Sequence, residues 1–421
     1  MQGRDVYLVA AHRIPFCRAY TGYADQTNQQ LLSAALKGLI AQTHLSGQRI
    51  GEVAAGAVVV HSADWNLARE SVLDTSLDPK TPATTLQFAC GTSVQATLML
   101  AAKVASGQID CAIAAGADSI SDAPLTVQRK LAQRLVNLSR AKGLGAKLSA
   151  FKKFRFSELS PVPPGTGEPR TGLSMGQHCE LMAKTRGISR LEQDRWAAGS
   201  HQKAGRALEQ GFFDDWIGAH NGVTRDNILR ADSNAESLAT LKPAFDRATG
   251  TLTAANSTPL TDGASAVLIA TREWAEARGL PILARIVDGH VSGNDFTQGD
   301  GLLMAPTETV FELLNRQNLS LQDFDLYEIH EAFAAQVLCT LKAWESDEYC
   351  QSMGAPAALG AVDPDKINLT GSSLALGHPF AATGARVIGT AGRLLAQQGQ
   401  GRALVSVCTA GGMGAAMILE R

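Results

Sequence analysis

The chain has 421 residues, of which 45% are apolar and 19% are charged. Its 38 basic and 40 acidic side chains leave a formal net charge of −2, so no nucleic-acid partner is expected. The apolar content and the 40 glycines favour a compact α/β protein and exclude a disordered or fibrous one. At about 150 residues per domain, the length predicts two or three domains.

The sequence contains no run close to the roughly 18 uninterrupted apolar residues of a transmembrane helix. The start, MQGRDVYLVA, carries neither signal-peptide nor transit-peptide features, so we expect a cytoplasmic location. The cysteines are odd in number and form no CxxC pair, which predicts free thiols, no disulfide framework and no metal site. They stand at positions 17, 90, 111, 179, 339, 350 and 408.

Apolar spacing in the first part of the chain predicts alternating strands and helices. The tight turn Cys90-Gly91-Thr92-Ser93 joins the second of these strands to the helix after it. In chain order the elements are a strand at 6–11, a helix at 31–41, a strand at 84–89, a helix at 94–105 and a strand at 111–116.

A similar pattern returns near the C-terminus. Gly377-His378-Pro379 opens a helix at 381–397, and a strand at 403–407 ends at Cys408 before a glycine-rich turn. Two helix-then-strand units, each beside a reactive side chain and glycines, predict a duplicated α/β architecture.

The segment 123–157 differs in composition from the rest of the chain, with nine Lys or Arg and no Asp or Glu. Leu131, Leu135 and Leu138 follow helical spacing, and a second apolar run with the same spacing begins at Leu144. These patterns predict two basic amphipathic helices. The segment is either a solvated insertion that covers the core or a docking surface for an anionic membrane or a partner.

Cys90 lies where a strand-like stretch turns into a helix. Unpaired amides and partial positive charge at a helix N-terminus lower the pKa of a thiol and favour the thiolate. Such a position suits a nucleophile. The alternative is a small buried hydrophobe, the usual role of a free cysteine.

Three further residues are candidates for the same chemistry. His378, at a helix start, could act as a base for a thiol, or it is a capping or buried histidine. Cys408 precedes glycines whose amides can form an oxyanion hole, or it is structural. His330, with Glu331 after it, ends an apolar strand and faces either a cleft or solvent. Together, these thiols and histidines favour acyl transfer through a thioester, because sulfur is a good nucleophile and a good leaving group.

Several motifs, in order, resemble those of the thiolase family, and the resemblance covers nearly the whole chain. His330, where most thiolases have Asn, and the basic insertion are similar to the thiolase (beta) subunit of trifunctional fatty-acid-oxidation complexes. The motifs are ACGTSVQA at 89–96, AGADS at 115–119, TAANSTPLTDGA at 253–264, HEAF at 330–333, LGHP at 376–379, ATGAR at 382–386, and Cys408 with the glycines after it.

The resemblance implies an α/β protein with the five-layered αβαβα thiolase fold. This fold has two similar halves, with a loop domain inserted into the first. The expected N-terminal half is 1–122 and 235–275, the loop domain is 123–234 and the C-terminal half is 276–421.

The resemblance also implies a mechanism and a role for each site residue. Cys90, deprotonated by His378, attacks the ketone of a 3-ketoacyl-CoA. Cys408 protonates the departing acetyl-CoA carbanion. His330, through a water, and His378 stabilise the enolate oxygen, while the amides of Cys90 and Ala410 hold the tetrahedral oxyanion.

Coenzyme A is implied as a co-substrate, with no permanently bound cofactor. Ser372 and Ala410 depart from the family pattern, because each replaces a glycine; Ala410 is harmless if only its amide matters. The residues expected to contact coenzyme A are Thr258 beside the pantetheine, Met175 and Phe333 along its tunnel, and Arg230 at the adenine end.

The leading interpretation is a 3-ketoacyl-CoA thiolase of fatty-acid β-oxidation acting on medium or long chains. The alternatives are a biosynthetic acetyl-CoA acetyltransferase and a non-catalytic acyl-CoA-binding protein; a decarboxylating ketoacyl synthase is disfavoured by the second thiol, Cys408. The family implies a homodimer or a larger oligomer. The resemblance also suggests a complex with a hydratase/dehydrogenase alpha subunit, and 123–157 suggests peripheral membrane association.

Overall fold

The computed structural model describes residues 3–421. The strands are β1 Val6–Arg13, β2 Cys17–Arg18, β3 Glu52–Gly56, β4 Ala83–Thr85, β5 Cys111–Asp118, β6 Thr261–Ala270, β7 Ala284–Gly293, β8 Leu326–Ile329, β9 Arg402–Thr409 and β10 Met413–Glu420. The helices are α1 Asn28–Gln42, α2 Leu67–Leu73, α3 Thr92–Ala105, α4 Arg129–Arg140, α5 Leu144–Ala150, α6 Met175–Thr185, α7 Arg190–Glu209, α8 Ala235–Ala239, α9 Arg272–Glu276, α10 Ala305–Gln317, α11 Ala334–Trp344, α12 Asp347–Ser352, α13 Ser373–Leu376 and α14 Thr383–Gln398.

The predicted elements are present, with two differences at the sites of interest. The strand predicted at 84–89 is wrong beyond Thr85, because the next residues leave the sheet and form the turn that holds Cys90. The helix predicted from residue 381 begins at Thr383, after a 3₁₀ turn at Phe380–Ala382.

The strand order confirms the predicted duplication. In the first half, β3 pairs in parallel with β5, β5 pairs antiparallel with β6, and β6 pairs antiparallel with β1. In the second half, β8, β9, β10 and β7 repeat this order and these directions. A short antiparallel pairing between β1 and β7 joins the two halves. The helices α3 and α14 occupy equivalent places in the repeat, each directly before the second of these strands.

Helices cover the sheets in three layers. Val94 of α3 and Val387 of α14 belong to one apolar core that includes strands of both halves, so these two helices form the central layer. Leu36 of α1 packs on the other face of the first-half strands. Val310 of α10 and Val337 of α11 pack on the other face of the second-half strands. The layers therefore follow the expected αβαβα order, in which each apolar sheet face is covered by helices.

The basic segment forms the two predicted helices, α4 and α5, on the surface. Leu131 is buried, whereas Leu144 and Leu148 are 75% and 69% exposed, so the second apolar stripe does not cover the core. Arg134 is paired with Glu158 at 2.6 Å, one residue beyond the acid-free segment. The guanidinium of Arg134 also donates to backbone carbonyls of the same loop, which holds the two helices together.

Among residues 3–421, no helix is long and apolar enough to cross a membrane. The division into 1–122 with 235–275, 123–234 and 276–421 stays a prediction.

Candidate active site

The beginnings of α3 and α14 lie against each other inside the molecule. Ser93 Oγ on α3 accepts from the Ala385 amide (2.8 Å) and donates to the Ala381 carbonyl (2.6 Å). Asp118, at the end of β5, accepts from the Ala381 amide at 2.8 Å. Gly384 permits this approach, since a Cβ there would lie 2.7 Å from Ser93 Oγ. The residues just before the two helices are thereby brought side by side.

Cys90 is held in a tight turn before α3. Thr92 Oγ1 accepts from the Phe88 amide (2.9 Å) and donates to the Ala89 carbonyl (2.6 Å). Ala89 has a φ of 44°, a left-handed conformation in which a residue with a Cβ is strained. Strain of this kind is concentrated at functional sites, where the surrounding contacts maintain it.

Cys90 and His378 form a direct pair. His378 Nε2 lies 3.2 Å from Cys90 Sγ, and the Nδ1 of the same ring lies 2.6 Å from Thr383 Oγ1. When Nδ1 carries the proton and donates to Thr383, Nε2 is free to accept the thiol proton. The structure therefore brings the predicted nucleophile and base together, in an orientation that suits proton transfer.

Burial determines the protonation of this pair. Burial raises the pKa of the Cys90 thiol to about 12, although the backbone amides of Ala410 and Cys90 oppose this shift. Burial, with a smaller effect of Arg386, lowers the pKa of His378 to about 3. The expectation that the helix start favours a thiolate is wrong, because desolvation outweighs the backbone amides. Both groups are neutral near pH 7.

Cys408 lies in the same region as the pair. It is buried at the end of β9, in an apolar cluster with Phe333. Burial raises the pKa of the Cys408 thiol well above its usual value, the Cys90 thiol adds to the shift, and the Ala332 amide opposes it. Cys408 is thus a protonated thiol near the Cys90 sulfur.

The turn after Cys408 directs its backbone toward the nucleophile. The Ala410 amide acts on the Cys90 sulfur together with the amide of Cys90 itself, as the expected oxyanion donors would. Gly411 has a φ of 81°, and its amide donates to the carboxylate of Glu168 at 2.8 Å. Glu168 therefore attaches the loop before α6 to this turn.

His330 completes the group at the end of β8. Its ring lies 4.1 Å from that of His378, centroid to centroid, and it is completely buried. His330 Nδ1 is 2.7 Å from Ser373 Oγ, whereas Nε2 has no hydrogen-bond partner. Cys90, His330 and His378 offer three potential ligand atoms within 4.8 Å of one another, which also makes them a geometric candidate for a soft metal ion. We predict no metal here.

A cavity of about 420 Å³ opens beside these residues. Ser257 and Pro259 line it, and their neighbour Leu260 is bridged to His378 through the backbone. Of the four expected coenzyme A contacts, only Arg230 lines the cavity. Thr258 lies between two lining residues and donates to the Ala332 carbonyl at 3.1 Å. Met175 and Phe333 belong instead to the apolar cluster around Cys408.

The two glycine replacements fit the backbone. Ser372 has a φ of −139°, outside the left-handed region, while the neighbouring Gly371 carries the positive φ of 71°. Next to Ala410, the left-handed positions of the hairpin fall on Gly411 and Gly412. Neither replacement therefore places a side chain at a positive φ.

Sequence reasoning missed the role of Glu331. Its carboxylate accepts from Trp196 Nε1 (3.0 Å), Ser200 Oγ (2.7 Å) and Asn368 Nδ2 (2.9 Å). It also accepts from the Leu374 amide, so it fixes the segment before His378 against the end of β8. The HEAF motif marked the position, but the partners come from distant segments that no local pattern connects.

A thiol, a neutral base and a second, protonated thiol, grouped next to this cavity, suit covalent acyl transfer. The base can take a proton as the first sulfur attacks, and the second thiol can return a proton to a leaving carbanion. Backbone amides beside the first sulfur suit the stabilisation of an oxyanion.

Comparisons with known proteins agree with this chemistry. Residues 6–273 match the family model described as thiolase, N-terminal domain, and residues 280–421 match thiolase, C-terminal domain. Two curated relatives are each 41% identical to this chain, over 100% of this chain and 97% of their own length. They are the 3-ketoacyl-CoA thiolases of Yersinia pestis (strain Pestoides F) and Yersinia pseudotuberculosis (serotype O:1b, strain IP 31758).

Two solved structures match over 100% of this chain and 99% of their own, each with a TM-score of 0.81. One is human mitochondrial 3-ketoacyl-CoA thiolase in complex with CoA, at 28% identity, and the other is Bacillus anthracis acetyl-CoA acetyltransferase, at 27%. The family models cover nearly the whole chain, and the chain therefore belongs to the thiolase family.

Proposed function

We propose that this enzyme is a 3-ketoacyl-CoA thiolase of fatty-acid β-oxidation, which uses coenzyme A to cleave a 3-ketoacyl-CoA into acetyl-CoA and a shortened acyl-CoA. The observation that carries the proposal is the pair of Cys90 and His378, 3.2 Å apart, with the protonated thiol of Cys408 beside it. The Yersinia relatives, named 3-ketoacyl-CoA thiolases, support the substrate class.

In the first half of the reaction, His378 Nε2 takes the thiol proton of Cys90 while the sulfur attacks the ketone carbon. The bond between this carbon and the α carbon breaks, and its electron pair leaves with the acetyl-CoA enolate. Cys408 gives its proton to the α carbon. This step ends with an acyl thioester on Cys90, an imidazolium on His378 and a thiolate on Cys408.

In the second half, the coenzyme A thiol gives its proton to the Cys408 thiolate and attacks the acyl thioester. The backbone amides of Cys90 and Ala410 hold the tetrahedral oxyanion; a single donor of this kind contributes about 3 kcal/mol in other enzymes. As the Cys90 sulfur leaves, it takes the proton back from His378. All three side chains then return to their starting state.

Two oxygens need donors in the first half of the reaction. The amides of Cys90 and Ala410 serve the oxyanion formed at the attacked ketone carbon. His330 and His378 serve the thioester oxygen of the departing enolate. Burial lowers the pKa of both imidazoles, so both are neutral near pH 7, and the one on His378 becomes a donor at Nε2 once it has taken the thiol proton.

The decisive test is to trap the acyl-enzyme on Cys90. We expect a 3-ketoacyl-CoA, added without coenzyme A, to increase the protein mass by the shortened acyl group. The Cys90→Ala variant should show no adduct and should lose at least about 10⁴-fold in turnover, because the nucleophile is gone. Cys111→Ala removes a buried thiol at the opposite end of β5 from Asp118 and is the matched control. An adduct that persists in Cys90→Ala would refute the mechanism.

A biosynthetic acetyl-CoA acetyltransferase is the second candidate, favoured by the structural match to the Bacillus anthracis enzyme of that name. Chain length distinguishes the two candidates. The degradative function predicts a higher kcat/KM for longer 3-ketoacyl-CoA substrates. Equal or better activity on acetoacetyl-CoA would favour the biosynthetic candidate.

The 420 Å³ cavity is the proposed entry for coenzyme A. Arg230 and the neighbouring Arg18 line it and offer positive charge to the phosphates at the nucleotide end of the molecule. The proposed contacts of the pantetheine are Thr258, between two lining residues, and Met175 and Phe333, in the apolar cluster around Cys408. Ser257, which lines the cavity, is bridged through the backbone to Phe333, so a cavity with charged residues lies next to an apolar cluster, in agreement with the polarity of an acyl-CoA.

The basic segment 123–157 is proposed to dock on an anionic membrane surface. Eight of its nine cationic side chains are exposed, and Arg134 alone is partly buried by its pair with Glu158. Leu144, Leu148 and Phe156 are exposed among these charges, with Phe156 85% exposed. Apolar side chains surrounded by Lys and Arg adsorb to anionic lipid.

Vesicle sedimentation tests this docking. We expect binding to vesicles that contain phosphatidylglycerol but not to phosphatidylcholine alone, with a decrease as ionic strength rises. The triple variant Leu144→Ser, Lys147→Glu, Leu148→Ser should weaken binding and leave turnover unchanged, whereas the exposed control Lys80→Glu should change neither binding nor turnover. Equal binding by all the proteins would refute the proposal. Retention of a hydratase/dehydrogenase subunit by 123–157 without vesicle binding would assign the surface to a protein partner instead.

Three further expectations stay predictions: a cytoplasmic location, a homodimer or larger oligomer, and a complex with a hydratase/dehydrogenase alpha subunit. Analytical ultracentrifugation of the protein alone and mixed with such a subunit tests the last two.

A further inference from the structure

His330 is connected to a buried cation through a single hydroxyl. Arg386 Nη2 donates to Ser373 Oγ at 2.5 Å, and Ser373 Oγ lies 2.7 Å from His330 Nδ1. All three side chains are buried. Glu328, also buried, lies 4.0 Å from Arg386, and burial raises the pKa of its carboxyl to about 8. His330 Nε2, on the far side of the ring, has no hydrogen-bond partner.

The direction of these hydrogen bonds follows from the donors that each group has. A guanidinium only donates, so Ser373 Oγ must accept from Arg386. The single hydroxyl proton of Ser373 then needs an acceptor, and His330 Nδ1 is the polar atom that the structure offers it. A His330 that accepts at Nδ1 is neutral and carries its proton on Nε2.

We propose that Arg386 and Ser373 are positioning residues that fix the tautomer of His330, so that its Nε2–H is held as a hydrogen-bond donor facing Cys90 and His378. The inference rests on the proposed function, in which this donor serves the thioester oxygen of the departing acetyl-CoA enolate. We call the hydrogen bonds from Arg386 through Ser373 to His330 the relay. Arg386 is a cation near pH 7 and can only donate, so the hydrogen bonds of the relay keep one direction. The donor is then preorganised where negative charge develops.

This arrangement separates the two halves of the reaction. Cleavage of the carbon–carbon bond forms an enolate and uses the His330 donor. Transfer of the acyl group from Cys90 to coenzyme A forms no enolate, and its oxyanion relies on the amides of Cys90 and Ala410. Loss of the relay should therefore slow cleavage and spare acyl exchange.

Ser373→Ala and Ser372→Ala form a matched pair for the test. Each removes a buried hydroxyl that accepts from Arg386, but only Ser373 contacts His330. We expect Ser373→Ala to lower kcat for cleavage about 10²- to 10³-fold, the range measured when an oriented donor is lost. The rate of acyl exchange between an acyl-CoA and free coenzyme A should change far less. Ser372→Ala should lower both rates by a similar, smaller factor, and Ser373→Thr, which keeps the hydroxyl, should restore cleavage.

Imidazole ¹⁵N NMR of the wild-type protein reports the tautomer directly, whatever the variants do to folding. The resonances missing from a His330→Gln spectrum identify His330, and we expect a protonated Nε2 and an unprotonated Nδ1. A protonated Nδ1, or equal losses of cleavage and exchange in Ser373→Ala, would overturn the proposal. Failure of the proposed function would appear differently, as the absence of any acyl-enzyme on Cys90 in the wild-type protein.

Discussion

The helices α3 and α14 hold equivalent places in the two halves, but their first residues are fixed in different ways. The turn before α3 is held by its own side chains, since Thr92 bonds both Phe88 and Ala89. The turn before α14 is held by the other half of the molecule, through Ser93 and Asp118. Neither helix has a side-chain N-cap from its own preceding residue.

The difference shows how a duplicated fold becomes one site. The nucleophile on the first helix start is positioned locally, so its geometry depends on a few consecutive residues. The base, just before α14, is positioned by contacts between residues almost 300 positions apart in the sequence, such as that from Ser93 to Ala381. We therefore expect substitutions at the start of α3 to have local effects, and substitutions that disturb the start of α14 to affect stability and catalysis together.

Removal of the base should have the largest effect and should reveal the protonation of the nucleophile. His378→Asn should lower acylation of Cys90 by about 10²- to 10⁴-fold, the usual contribution of a general base. With the pKa of Cys90 at about 12 and that of His378 at about 3, both stay neutral between pH 5 and 10, and these groups give the wild-type enzyme a flat profile in this range.

The variant should respond to pH in a different way. Without the base only the thiolate reacts, and its fraction rises about tenfold per pH unit while the pH is below the pKa of Cys90. Stopped-flow acylation from pH 7 to 9 measures this slope. A variant rate independent of pH in that range would show that Cys90 is already ionised.

The contact between the halves should contribute more to stability than a hydroxyl within one helix. Ser93→Ala leaves the Ala381 carbonyl and the Ala385 amide without this buried partner, and we expect a loss of about 2–3 kcal/mol in the free energy of unfolding. Thr97→Val is the control, because Thr97 Oγ1 donates only to the Ser93 carbonyl within α3; it should cost under about 1 kcal/mol.

Urea denaturation of the two variants, read together with kcat, checks this expectation. Ser93→Ala should lower kcat as well, since the start of α14 carries the base. Equal losses of stability in the two variants would show that the contact between the halves stabilises the protein no more than a hydroxyl within α3 does.

Apolar spacing was sufficient to predict a duplicated α/β architecture. The αβαβα layers and the roles of the reactive residues were expected from the resemblance of the ordered motifs to those of the thiolase family. The protonation of Cys90 was not predictable in this way. A helix start favours a thiolate, but the degree of burial, which decides the pKa, depends on residues brought together only in the fold. The connection from Arg386 through Ser373 to His330 was equally hidden, since it spans more than 40 residues of chain with no common pattern.

The smallest effect on stability is expected at the start of α3, because this turn is held by hydrogen bonds of its own residues. Thr92→Val removes the hydroxyl that bonds Phe88 and Ala89. The Ala89 carbonyl keeps its bond from the backbone amide of residue 92 (3.1 Å), and the Phe88 amide lies where water can reach it. We therefore expect a loss of only about 1 kcal/mol in the free energy of unfolding. The effect should be local, so alkylation of Cys90 by iodoacetamide should change while the imidazole ¹⁵N resonances of His378 do not. A shift of those resonances as large as in Ser93→Ala would contradict this expectation. It would show that the start of α3 and the start of α14 depend on each other, so that the turn before α3 does not fix Cys90 by itself.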